Sequence, residues 1–207
     1  VLEPLHAVVY FAPESRARAE AAGMRGFWMG YFGSRCYPLG PVGPEVVGAV
    51  CFGFDPAMVA RAIPDAWHFA TMQNIATARY AGVDAALRRL LGDALDTPAV
   101  AEAAELAREA TTALDCGGRP LAAAYAALPW PEPPHLQLWH AATVLREHRG
   151  DGHVVANVAD GIDGLAAHVL QVGTGSVPRE WLQSSRGWSD EAWATAEQVL
   201  LARGWLE

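Results

Sequence analysis

The sequence predicts an all-α protein, a helical bundle followed by a winged-helix-like carboxyl-terminal unit. Three observations carry that reading. Ala, Leu, Arg and Glu dominate the chain, and its apolar residues recur at three- and four-residue spacing. Runs alternating apolar and polar residues, the mark of half-buried strands, are absent. Proline and small polar residues stand where the helical patterns begin.

The elements follow in order. A short apolar opening, Leu5 to Phe11, precedes a helix that starts at Pro13-Glu14-Ser15 and that Gly23 can close in the left-handed region. Residues 26–35 (GFWMGYFGSR) are aromatic on all sides, which predicts burial. Proline and glycine punctuate 37–44 and predict a rigid loop. Helices restart at Pro44 and at Asp55-Pro56, where Asp caps and Pro fills the first turn. Residues 75–91 and 98–114 are amphipathic, and the short link between them predicts antiparallel neighbours.

The segment Leu128-Pro-Trp-Pro-Glu-Pro-Pro134 marks the clearest domain boundary. It gives a helical bundle over 1–134 and the winged-helix-like unit over 135–207, the two packed as one globule. Beyond it, a helix over 136–149 ends at Gly150. Asp151 caps a second helix running from His153 toward Leu170, weakened by Gly161 and Gly164. A short helix near Glu180 and a Ser189-capped helix from Glu191 to Ala202 complete the helix order of a winged helix. The hairpin wing that would come next is absent from this chain, and the chain starts without Met, so it reads as trimmed from something longer.

Composition narrows the function classes. At 207 residues the chain can bury a core without metal or disulfide staples. With 52% apolar and 18% charged residues it is neither disordered nor a coiled coil. Mean hydropathy is +0.09 and no run approaches 18 apolar residues, so no membrane partner is expected. Net charge is −8, and all 15 basic residues are Arg. Phosphate neutralisation dominates DNA affinity, so this balance ranks DNA behind a small-molecule partner. Cys36, Cys51 and Cys116 show no CxxC spacing, and the amino end lacks a signal-like h-region. That places the protein in the cytoplasm with reduced thiols.

Two stretches concentrate chemistry. Arg146-Glu147-His148-Arg149-Gly150-Asp151-Gly152-His153 gathers ionisable groups beside a glycine turn. Glu147 or His148 can act as general base there, with Arg146 or Arg149 stabilising negative charge. A plain structural role stands beside it: Gly150 ends one helix, Asp151 caps the next, and the arginines pair with the acids. HExxH is absent, and no metal site is assigned. The second stretch is amino-terminal. His6 and Tyr10 lie one turn apart, followed by Trp28, Tyr31, Phe32, Arg35 and Tyr37. Aromatic walls with one Arg and one His suit a flat or carboxylated small molecule, and an ordinary aromatic core is the alternative.

Several of these segments resemble one family. His6-Ala-Val-Val-Tyr10-Phe11, Gly26-Phe-Trp, Tyr31-Phe32, Pro38-Leu-Gly-Pro-Val-Gly43, the 145–153 block and Gly187-Trp-Ser-Asp-Glu191 look like an actinobacterial family labelled SalK-like. The resemblance covers nearly the whole chain and implies a helix-turn-helix. A fold likeness alone assigns no function.

The sequence therefore points to a small-molecule-binding helical protein, with a cofactor-independent enzyme as its catalytic version. His148, Glu147 and Arg146 are the candidate catalytic residues. His6, Tyr10, Trp28, Tyr31, Arg35, Arg149, Asp151 and His153 are the candidate ligand contacts. No cofactor can be named. The alternative is a ligand-responsive winged-helix transcription regulator, which carries a homodimer and exposed Arg179, Arg186 and Arg203.

Overall fold

The structure is a computed structural model that describes residues 2–206. Thirteen α-helices make up its frame, and no strand occurs among the described residues. In order they are α1 (Glu3–Phe11), α2 (Pro13–Ala21), α3 (Gly26–Cys36), α4 (Pro44–Val50), α5 (Pro56–Ala60), α6 (Asp65–Phe69), α7 (Met72–Leu91), α8 (Pro98–Thr112), α9 (Pro120–Ala126), α10 (Pro134–Ala159), α11 (Gly164–Gly173), α12 (Arg179–Arg186) and α13 (Asp190–Ala202). None is long and apolar enough to cross a membrane.

Local chemistry sets most of the ends. Proline occupies the first turn of α2, α4, α5, α8 and α9, where its missing N–H leaves no helical bond unmade. Asp55 caps α5 by accepting from the N–H groups of Ala57 and Met58. Thr71, Asp163 and Ser189 cap α7, α11 and α13 in the same way.

The chain divides into two compact units. The first takes the residues up to Val42 together with Ala62–Gly152, and the second takes Gly43–Arg61 and the residues from His153 onward. The proline segment 128–134, which the sequence marks as a boundary, lies inside the first unit. It is ordered by packing: Trp130 meets the His140 ring edge-on at 4.7 Å and carries the Arg108 guanidinium 4.8 Å above its face.

The first unit is centred on Val9, Val83, Leu87, Leu95, Leu136 and Trp139. The expected pairing of α7 with α8 is not the one that organises it, since α7 packs most extensively on α2. α8 buries only the small side chains of Ala104 and Ala107. α2 and α7 approach closely because residue 82 is glycine: a Cβ there would lie 2.7 Å from the Ser15 Cα.

A second correction concerns Gly150. Instead of ending a helix, it sits inside α10, which runs unbroken to Ala159. Asp151 does not cap a new helix; its buried carboxylate accepts the N–H of Ala122 in α9 at 3.0 Å. Gly152 leaves room for the Arg119 guanidinium, whose Nη1 donates to the His148 carbonyl at 2.6 Å. The glycines are thus compatible with the helix, and one of them serves a close approach.

These two sites give a paired expectation. Gly150→Ala should stabilise the protein by about 0.5–1 kcal/mol, because its Cβ meets nothing closer than 3.7 Å. Gly82→Ala gains the same helix propensity but overpacks against backbone at a cost of about 1–3 kcal/mol, so it should be net destabilising. Urea melts of both variants check this; equal shifts would contradict the continuous α10 or the tight α2–α7 crossing.

The second unit has its own core of Leu165, Ala166, Val169, Leu182, Trp193 and Leu200, contributed by α11, α12 and α13. A three-residue turn, Gly187 to Ser189, joins α12 to α13, with Gly187 left-handed at φ +80°. Only glycine fits there, since a Cβ would also meet the Met58 sulfur at 2.9 Å.

Candidate functional site

Helical periodicity puts polar groups on the inner faces of the first unit. α10 projects Trp139, Thr143, Arg146 and Glu147 at three- and four-residue spacing. α1 supplies His6 and Tyr10 one turn apart, and α3 supplies Tyr31 and Arg35 likewise. α7 contributes Arg79 and Tyr80, and α9 contributes Tyr125.

Glu147 is the anionic centre and is fully buried. Arg35 grips it with two parallel bonds, Nε to Oε1 at 3.1 Å and Nη2 to Oε2 at 2.8 Å. Arg146 Nη1 adds a third at 2.9 Å to Oε1. Burial alone would raise the carboxyl's pKa, but the two guanidinium groups reverse this and hold it at about 2. Glu147 is therefore a fixed anion at neutral pH, a weak proton acceptor.

The aromatic side of the cluster is equally enclosed. His6 Nδ1 lies 3.1 Å from Thr143 Oγ1, and its ring is parallel to Trp139 at 6.1 Å. Tyr10 meets His6 edge-on at 5.4 Å and Tyr31 at 5.0 Å. Desolvation, then Arg79 and Arg146, lower the His6 pKa to about 3, so this imidazole is neutral. His140 is lowered to about 4 by desolvation and Arg79, and its Nδ1 lies 2.6 Å from Tyr80 Oη.

Arg79 completes the cluster and is 3% exposed. Aromatic rings surround it: its guanidinium carbon lies 5.0 Å from Trp139, 5.6 Å from Tyr125 and 6.0 Å from Tyr10, measured to the ring centroids. Nη1 donates to Ser34 Oγ at 3.4 Å. Among the described residues Nε and Nη2 have no acceptor, and the same holds for Tyr10 Oη, His6 Nε2, His140 Nε2 and Arg146 Nε. Cation–π contacts are worth roughly 0.5–2 kcal/mol. Burying an ion costs several kcal/mol. The rings alone do not offset Arg79.

A cavity of about 40 Å³ reaches this group; Arg79, Tyr10, Tyr31 and Ser34 line it together with Ser15, Arg16 and Glu20, and Val9, Met24, Phe27 and Ile75 are among its apolar walls. That is space for a few heavy atoms. An open groove of about 620 Å³ meets the cluster separately at His6 and Arg146, with Glu3 and Arg149 also lining it.

The sequence-selected residues are thus distributed unevenly. His6, Tyr10, Tyr31, Arg35, Arg146 and Glu147 come together. Trp28 packs nearby on Tyr31 at 5.8 Å and Phe32 at 6.0 Å. His148 is turned about 100° round α10 from Glu147, and its Nε2 lies 2.9 Å from the Asp115 carbonyl oxygen. Arg149 is exposed and pairs with Glu3 at 3.4 Å. Asp151 is engaged with α9, with burial pushing its carboxyl up. His153 is exposed, and Asn157 Nδ2 lies 3.0 Å from its ring. Among the described residues no three His, Cys, Asp or Glu side chains converge as a metal set.

Sequence reading missed Arg79, Tyr80, Tyr125 and Thr143. Arg79 had a signal: it stands four residues after Ile75 and four before Val83, on the stripe that α7 buries. A charge on an apolar stripe is a buried-site marker.

The second unit offers little positive charge. Within α13, Asp190, Glu191 and Glu197 face no basic residue of the same helix. Arg179 pairs with Glu197 at 3.3 Å, with Asp190 at 3.8 Å, and lies over Trp193. Arg186 covers Phe54, and Arg203 Nη1 donates to the Gly161 carbonyl at 3.0 Å.

A family model described as a helix-turn-helix family matches residues 1–207, and the chain belongs to that family. No curated protein and no solved structure matches it.

Proposed function

We propose that this helix-turn-helix family member is a small-molecule-binding protein whose site is the arginine- and tyrosine-rich cluster of the first unit. One observation carries the reading: Arg79 is a buried cation with two N–H donors that nothing in the described chain accepts. Buried polar groups are nearly always partnered, and unmatched ones mark functional positions. Binding suits the cluster better than general-base chemistry at Glu147, because two arginines hold that carboxylate ionised and occupied. Arg146 then serves as the second cation on Glu147, and His6, Tyr10 and Tyr31 line the ligand's surroundings. His148 and Arg149 belong to the periphery of α10. Three cysteines without CxxC spacing suit a reducing cytoplasm.

The test is a thermal-shift screen of a chemically diverse small-molecule set on the wild type and on Arg79→Met. The expected result is compounds that raise the wild-type Tm and leave the variant unmoved. Hits that shift both proteins equally, or no hit of any class, would overturn the site.

Family membership favours a second reading, a ligand-responsive regulator. We read α11, α12 and α13 as the three-helix part of a winged helix, with α12, the Gly187 turn and α13 as its helix-turn-helix. The acidic α13 argues against close approach to phosphates. Duplex DNA titrations at 50 and 200 mM salt decide between them: the regulator predicts binding that falls steeply with salt, and the acidic helix predicts none.

A further inference from the structure

We infer that the ligand is a small monocarboxylate with an apolar body, held side-on across Nε and Nη2 of Arg79 with that body in the adjoining cavity. The inference deepens the binding reading above and rests on it.

The protein itself shows the required geometry. Arg35 uses Nε and Nη2, the same edge of its guanidinium, to take both oxygens of Glu147. Arg79 offers that edge with neither donor engaged. Its remaining contacts are of other kinds: Ser34 accepts from Nη1, and the rings of Trp139, Tyr125 and Tyr10 surround the cation at centroid distances of 5.0–6.0 Å. What remains is a planar, two-donor fork, the complement of a carboxylate.

Three arginines, Arg35, Arg146 and Arg79, face the single carboxylate of Glu147, so the cluster is short of negative charge. The free edge of Arg79 takes one planar pair of oxygens, which a carboxylate supplies, whereas a phosphoryl group adds a third charged oxygen that needs a further donor. Tyr10 lines the same cavity, and its unpartnered hydroxyl can donate to a bound carboxylate oxygen. Val9, Met24, Phe27 and Ile75 give the cavity apolar walls, its further charged lining residues, Arg16 and Glu20, are paired with each other, and the volume of about 40 Å³ keeps the body short.

Calorimetric titration of the purified full chain tests this with propionate, butyrate, propionamide, butyramide and methyl phosphate. The carboxylates should bind wild type, with Arg79→Lys weakened roughly ten- to a hundredfold because it keeps the charge and loses the fork. Arg79→Met should lose binding while remaining folded by circular dichroism. Amides or methyl phosphate binding as well as the acids would overturn the carboxylate class and leave the binding site standing. Carboxylate binding that Arg79→Met retains would overturn the placement. If none of the five binds while the thermal-shift screen gives Arg79-dependent hits of other chemistry, the inference fails and the broader reading survives. If both are blank, both fail.

Discussion

Glu147→Gln should lower the stability of the protein by about 3–5 kcal/mol, the cost of breaking a buried ion pair by removing one partner. The substitution keeps the side chain's size and removes the charge with which Arg35 and Arg146 both pair. Urea unfolding at pH 7.5 reads the effect directly. The double variant Arg35→Met, Glu147→Met should recover part of the loss, since it removes a desolvated cation together with the anion. A single-variant change below about 1 kcal/mol would mean that the arginines find water when the carboxylate is gone.

The same cluster sets the response to acid. His6 and His140 have folded pKa values lowered to about 3 and about 4 from an ordinary 6.5. The unfolded chain therefore binds their protons first. Their contribution to stability is complete above pH 6.5 and is lost as pH falls toward those folded values. Glu147, lowered to about 2 from 4.5, adds a further loss below pH 4.5. Stability should thus begin to decline between pH 7 and 5. His6→Asn should flatten that slope. A decline starting only below pH 4.5 would show that the two imidazoles are not held neutral in the fold.

Arg79→Met should do the opposite of most core substitutions. Replacing a buried cation that lacks a carboxylate partner by an apolar side chain of similar length should raise stability by about 1–4 kcal/mol, while ligand binding disappears. Gain of stability with loss of function is the signature of a site held at the expense of the fold. A loss of stability on the same scale would instead make Arg79 a structural element, held by Trp139, Tyr125 and Tyr10.

Much of the helical frame was legible from the chain alone. Pro13, Pro44, Asp55-Pro56, Pro98 and Ser189 announce helix starts because capping and proline chemistry act within a few residues. Gly23 announces an end for the same local reason. The same local rules misread Gly150 and Asp151. Glycine costs a helix only about 1 kcal/mol, and bonds from Arg119 to the His148 carbonyl and from the Ala122 N–H to Asp151 tie α10 to the α9 segment across that stretch. The Asp151 carboxylate reached a neighbouring helix, which no local rule reports.

The site divides along the same line. Sequence by itself determined that the chain is helical, where most helices begin, and that unusual density of Arg, His and Tyr lies near residues 6–37 and 146–153. Only the tertiary structure decided that Arg35 answers Glu147 across 112 residues of chain. It also decided that Arg79 of α7 enters the same cluster and that His148, one residue from Glu147, stands aside. The physical reason is that helix formation is governed by bonds four residues apart. Whether a buried charge is neutralised depends instead on which distant helices the core brings within 3 Å, and periodicity within one helix carries no record of its neighbours.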